Sequence, residues 1–163
     1  INELKLYQNV IVYNFNDISN SQSRSLINKE YNNYTGKFTF RKVKNIWAKR
    51  YNYYYLINNN LKITGFHIIF IKRNNKYMWT FVNNLNLDDY IFHVNNYFEK
   101  INNIIKINKS IIEYNLEVNE YHNFFLNNYL IHNAEAECEA CSFECGGPEE
   151  DVGEGEGKGK DDY

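Results

Sequence analysis

The chain has 163 residues, 44% apolar and 17% aromatic, which is enough for one modest core and excludes a wholly disordered or fibrous protein. The formal charge of −2 averages two opposite parts: residues 1–133 hold 16 Lys or Arg against 9 Asp or Glu, residues 134–163 hold 2 against 11. Even the run Phe66 to Ile71 is closed by Lys72 and Arg73, far short of the roughly 18 to 20 residues a membrane span needs. Composition breaks at the same point as charge. All 29 Asn lie within residues 1–133, while six of the eight Gly, the only Pro and all three Cys lie beyond. The expected organisation is therefore one basic domain over 1–133 and an acidic Gly/Glu-rich tail over 134–163 that cannot bury enough to fold. Asn, Ile, Lys and Tyr in place of Ala and Gly is the mark of AT-biased codons. Together with Ile1 at the start and no secretory pattern, it points to an organelle, with the mitochondrial matrix as the expected location.

In chain order, residues 8–14 read as a strand, and the polar break from Asn14 to Asn20 can cap a helix after it. Ile27, Tyr31 and Tyr34 at i, i+4, i+7 predict that helix over about Ser21 to Asn33, ended by Thr35 and Gly36. Alternation of Phe38 and Phe40 with Lys37, Thr39 and Arg41 predicts an edge strand, and Tyr51 to Asn60 reads as an extended loop or as a strand and turn. Residues 66–71 lack alternation, as a strand covered on both faces does. Met78, Phe81, Val82 and Leu85 predict an amphipathic helix, and residues 104–107 and 111–118 a hairpin. The expected fold class is α+β, an antiparallel or mixed sheet with helices packed on one face.

Arg41, Lys42, Lys44, Lys49 and Arg50 put five cations into ten residues with Trp47 and Tyr51 among them. Cations neutralise phosphates and rings stack on bases, so this run is the candidate RNA surface. Cys138, Cys141 and Cys145 with His132 fall within 14 residues, too close for the two separated pairs of a structural zinc site, and read as free thiols. His67, His93, His122 and His132 form no metal-binding pattern, and His67 in an apolar strand reads as a core residue. Asp88 and Asp89 are adjacent and diverge in either a strand or a helix, which makes them poor joint metal ligands. No catalytic residue, metal or cofactor is expected, and the chain reads as a non-enzyme.

The order of pieces resembles the bacterial-type ribosomal protein L-five family of the large-subunit central protuberance. The resemblance is carried by Val10 to Phe15 with Asn14, by Thr35, Gly36 and Lys37 followed by Lys42, Val43, Lys44 and Asn45, by Gly65 to Phe70, by Tyr77 to Leu85, and by Ser110, Ile111, Tyr114 and Leu116. It implies a structural constituent of an organellar ribosome. Asn14, Lys37, Arg41, Lys42, Lys44, Lys49, Arg50, Tyr53 and Tyr54 would contact RNA. The implied partners are large-subunit ribosomal RNA, a 5S RNA where present, neighbouring ribosomal proteins including a small-subunit bridge protein, and peptidyl-site tRNA, with no membrane. The alternative expectation is a scaffold subunit of another organelle-encoded complex such as a respiratory complex.

Overall fold

The computed structural model describes residues 8–20, 24–132 and 149–151. Within them the chain is built from strands: β1 Asn9–Phe15, β2 Gly36–Tyr51, β3 Tyr54–Ile57, β4 Leu61–Ile63, β5 Ile68–Arg73, β6 Lys76–Phe81, β7 Tyr90–His93, β8 Tyr97–Lys100, β9 Ile104–Ile107, β10 Ile111–Val118, β11 Asn123–Leu126, β12 Tyr129–His132 and β13 Glu149–Asp151. The helical content of the described residues is two short 3-10 turns, Arg24–Leu26 and Val82–Asn84. The expected α+β class is thus corrected to an almost all-β fold.

Asparagine is what permits so many strands in a chain this short of glycine. Eight of the ten non-Gly residues at positive φ among the described residues are Asn, including the consecutive pairs Asn58–Asn59, Asn74–Asn75 and Asn127–Asn128. A short polar side chain tolerates the left-handed region, and two such residues in succession make the turn whose twist suits a hairpin. These pairs close the β3–β4, β5–β6 and β11–β12 hairpins. The second of them decides the fate of the predicted helix at Met78 to Leu85. Lys76–Phe81 pairs residue by residue with β5, from Arg73↔Lys76 to Ile68↔Phe81, and the apolar spacing of 3 and 4 is met instead by β6 running into the 3-10 turn. Likewise Ile27 and Tyr31 bridge to Trp79 and Tyr77 beyond a single 3-10 turn, in place of the helix predicted there.

Among the described residues three antiparallel sheets result. The 16-residue β2 takes β1 along its first half and β10 along its second, with Lys44 bulged where the β10 register shifts, and β13 pairs with Lys49 to Tyr51. The second sheet runs β11-β12-β5-β7-β8 with β6 also on β5, and the third runs β4-β3-β9. The strand expected to be central, β5, is central. The predicted 104–118 hairpin is not formed, since β9 pairs with β3 and β10 with β2.

Alternation along β5 and β12 sorts two cores. Ile69, Ile71 and Ile131 join an aliphatic cluster with Val12, Val43, Ile63, Met78, Ile91 and Leu116. Ile68, Phe70 and Leu130 join an aromatic one with Tyr13, Phe15, Trp79 and Phe92. The side-chain amide of Asn123 ties the first sheet to the second: its Oδ1 accepts from the Tyr13 N–H at 2.8 Å and its Nδ2 donates to the Tyr13 carbonyl at 2.9 Å. Among the described residues no helix is long and apolar enough to cross a membrane. The Cys138, Cys141, Cys145 cluster and the acidic tail, β13 aside, lie outside the described residues.

Candidate functional site

Strand β12 lies between β11 and β5, and its last residue, His132, stands opposite Asn123 on one side and Ile68 on the other. The next position along those two registers is His122 on the β11 side and His67 on the β5 side. Residues facing each other across an antiparallel ladder are about 4.5–5.5 Å apart at Cα. Two histidines thus immediately precede the strands that pair with β12, His122 before β11 and His67 before β5.

His67 ends the buried turn Thr64 to His67 that joins β4 to β5. The turn is fixed to the 3-10 turn after β6: Val82 N–H donates to the His67 carbonyl at 2.9 Å and Asn83 N–H to the Gly65 carbonyl at 3.0 Å. A Cβ at Gly65 would run into the Asn83 side-chain amide, which would have to shift to admit any larger residue. Glu113 reaches the turn from β10. Its Oε1 accepts from the Thr64 N–H at 3.1 Å and lies 3.2 Å from His67 Nδ1, which is also 3.0 Å from Thr64 Oγ1. His67 is 5% and Glu113 8% exposed. Burial lowers the His67 pKa, but the Glu113 carboxylate outweighs it and holds the imidazole above its ordinary value. The same pairing, with the Thr64 hydrogen bonds, overcomes burial and holds Glu113 below its own. His67 Nε2 is buried and has no hydrogen-bond partner among the described residues.

His122 differs. It is half-buried, its Nδ1 is buried without a hydrogen-bond partner among the described residues, and burial sets its pKa below the ordinary value. Glu117 opposes that shift and Lys44 adds to it. His132 is buried with its ring edge-on to Trp79, 5.0 Å between centroids. The two histidines thus differ in the direction in which their surroundings move them, His67 above and His122 below the ordinary value. No group of three His, Cys, Asp or Glu among the described residues could hold a metal ion.

The residues expected to bind RNA are placed otherwise. Lys37, Arg41, Lys42, Lys44, Lys49 and Arg50 are strung along β2, about 40 Å at roughly 3.3 Å per residue, and Lys49 and Arg50 point to opposite faces. Acids distant in sequence reach this strand. Glu120 pairs with Arg41 at 2.9 Å, Glu117 with Lys44 at 3.7 Å, and Glu113 stands opposite Lys49. Asn14 lies opposite Lys37 in β1, Tyr54 opposite Ile107, and Tyr53 packs on Phe66 beneath Lys106. The site at the end of β12 was not expected from sequence, where His67 reads as a core residue. A signal was present: the composition break falls on the adjacent pair His132–Asn133.

No family model and no curated protein matches the chain. Solved structures do match. The TvoVMA intein superposes with a TM-score of 0.55 at 20% identity, over 64% of this chain and 68% of that one. The bacterial intein-like domain from Clostridium thermocellum gives 0.53 at 14% identity, over 78% and 96%. The PabCDC21-1 intein gives 0.53 at 17%, over 78% and 72%. The chain therefore has the fold of inteins and intein-like domains. This overturns the resemblance to the L-five family, and with it the expected ribosomal, RNA-binding role and the respiratory-scaffold alternative. The matched pieces, a strand ending in Asn and a Thr-Gly-Lys step, are short turn and strand chemistry that an Asn-rich β-protein reproduces in the same order.

Proposed function

We propose that this chain is an autoprocessing domain that breaks its own peptide bond between Asn133 and Ala134. The observation that carries the reading is the pair of histidines, His67 and His122, at the register positions just beyond His132. The fold supports it, since inteins are self-splicing protein domains. Asn is the residue able to cleave its own C-terminal bond without water. Its side-chain nitrogen adds to its main-chain carbonyl carbon, loses a proton, and closes a succinimide as the bond to the Ala134 nitrogen breaks and that nitrogen takes a proton. His122, held below its ordinary pKa, is the acceptor for the first proton. His67, whose pKa the Glu113 carboxylate raises and whose Nε2 has no hydrogen-bond partner among the described residues, is the donor for the carbonyl oxygen that becomes negative on the way. Ala134 carries no nucleophile that could take up an acyl group, so the step ends in release of the downstream segment rather than its transfer.

The test is intact-mass spectrometry of the purified full chain against time at pH 6 to 8. Two fragments should accumulate, one ending at a succinimide on Asn133 and one beginning at Ala134, and Asn133→Ala should give neither. A folded parent chain that stays whole overturns the reading.

A further inference from the structure

We propose that the edge of β2 from Lys49 to Tyr51 is an acceptor for an acidic extended peptide, occupied in the intact chain by its own Glu149–Asp151 and open to a segment of the same kind supplied from outside. The inference goes beyond the cleavage reading and does not depend on it.

A strand has two edges, and β2 uses both over the same three residues. β10 pairs Tyr51, Arg50 and Lys49 with Ile111, Ile112 and Glu113, and β13 pairs them with Glu149, Glu150 and Asp151. β13 therefore lies on the side away from β10, the side that β1 covers along Gly36 to Lys42. Among the described residues no other strand covers this stretch. Without β13 it would present an unpaired row of N–H and C=O groups, the template on which an added strand forms.

The sequence of the occupant says what holds it. Glu and Asp are poor strand formers, so Glu-Glu-Asp takes its extended form from the ladder and not from its own preference. Its register sets Glu150 opposite Arg50 and Asp151 opposite Lys49, and unlike charges directly opposite each other favour a pairing. Glu113, the acid across Lys49 on the β10 side, is turned instead to the Thr64 N–H at 3.1 Å and to His67 Nδ1 at 3.2 Å. A second copy of this edge is a poor occupant, because antiparallel pairing centred on Arg50 sets that cation against itself. A neutral strand would gain the backbone hydrogen bonds without the charge pairing. The chemistry that fits is an extended segment with acids at consecutive positions, and residues 134–163 hold 11 of the chain's 20 Asp or Glu.

The experiment uses the full chain carrying Asn133→Ala, which stays whole, followed by amide-resolved NMR at pH 7. Adding Glu149→Lys, Glu150→Lys and Asp151→Lys together should displace β13 and leave amide protection in β5 unchanged. The probe is the peptide Gly-Pro-Glu-Glu-Asp-Val-Gly, the sequence of residues 147–153. It should shift the amide signals of Lys49 to Tyr51 in the charge-reversed chain and bind the unreversed chain at least tenfold more weakly, because there the edge is taken. At 1 M salt, where the screening length falls to about 3 Å, it should lose most of its affinity. The all-D peptide carries the same charge but cannot follow the twist of the ladder, and should bind at least tenfold more weakly. Equal binding of the two mirror forms overturns the proposal, since diffuse charge attraction would then suffice. So does an unshifted Lys49 to Tyr51 edge, equal affinity for the reversed and unreversed chains, or a reversed chain that pairs with a second copy and is not dispersed by the peptide. Should the reversed chain lose its β5 protection, the unreversed chain decides. Its amides at 149–151 should be protected at low salt and exchange at least tenfold faster at 1 M, and either missing protection or protection that salt leaves unchanged refutes the acceptor edge.

Discussion

His67 and His122 immediately precede β5 and β11, the two strands that flank β12, yet their surroundings push them in opposite directions. On the β5 side a buried carboxylate stands against the ring, and its charge outweighs the cost of burial. On the β11 side the ring is half-buried, the acid Glu117 is itself paired with Lys44, and burial prevails. The difference teaches that proximity of an acid is not enough: the acid must be desolvated with the ring. That one distinction separates two identical side chains as the proposed cleavage requires of its donor and its acceptor.

The comparison is broken most severely by removing its acceptor. His122→Ala should slow cleavage by about 10²–10⁴-fold, the usual worth of a positioned acid or base, and should erase the lower limb of the pH profile. A rate within threefold of the parent would show that the two sides are not a matched pair.

Next in size is the stability carried by the His67–Glu113 pair. His67 is raised from 6.5, so its contribution is complete below that value and is lost as pH climbs through the raised one. Glu113 is lowered from 4.5, so its contribution is complete above that value and is lost only as pH falls through the lowered one. The pair is thus fully formed between about pH 4.5 and 6.5, and Asn133→Ala should be less stable in urea at pH 9 than at pH 6 through this pair. Adding Glu113→Leu leaves a buried ring whose charge is uncompensated. At pH 5 to 6 it should cost about 3–5 kcal/mol, the scale for removing one member of a buried pair, and the cost should shrink as pH rises and the ring sheds its proton. A loss that is constant from pH 5 to 9 would mean that packing, not charge, is what Glu113 supplies.

The turn beneath His67 sharpens the comparison at smaller cost. Gly65→Ala forces the Asn83 amide to shift and should destabilise by about 1–3 kcal/mol in urea unfolding, with the His67 midpoint moving toward the ordinary value and the His122 midpoint unmoved. Equal movement of both would show that the turn positions the whole strand end rather than one ring.

How much of this was legible in the sequence depends on which signals are local. β1, the first residues of β2 and the central β5 read directly, because alternation and unbroken apolar runs are properties of a single segment. The region from Met78 to Leu85 did not, since a strand running into a 3-10 turn can carry helical spacing by coincidence, and the decisive feature, two Asn at positive φ before it, looked like codon bias. The site was less legible still. Thr64 and His67 are three residues apart, but Glu113, His122 and His132 join them through β10, β11 and β12, and nothing in a linear pattern announces a ladder register. The acids that neutralise β2 were hidden for the same reason: Glu117 and Glu120 are more than 70 residues from the cations they meet.

The smallest predicted effect tests the open side of the comparison. Lys44 lowers the His122 pKa and is paired with Glu117 at 3.7 Å, with both side chains substantially exposed. An exposed pair of this kind is worth about 0–1 kcal/mol, so Lys44→Glu should leave unfolding in urea nearly unchanged. Its effect should appear instead in titration. Replacing a cation that opposes the charged ring by an anion that favours it should raise the His122 midpoint, and the lower limb of the cleavage profile should rise with it. Salt decides whether the coupling is of the surface type. At 1 M ionic strength, where the screening length falls to about 3 Å, the shift should largely vanish, while the His67 midpoint, set by a carboxylate buried against the ring, should hold. If 1 M salt collapses both midpoints to the ordinary histidine value, Glu113 is no better shielded than Lys44, and the division between donor and acceptor fails on its own physical ground.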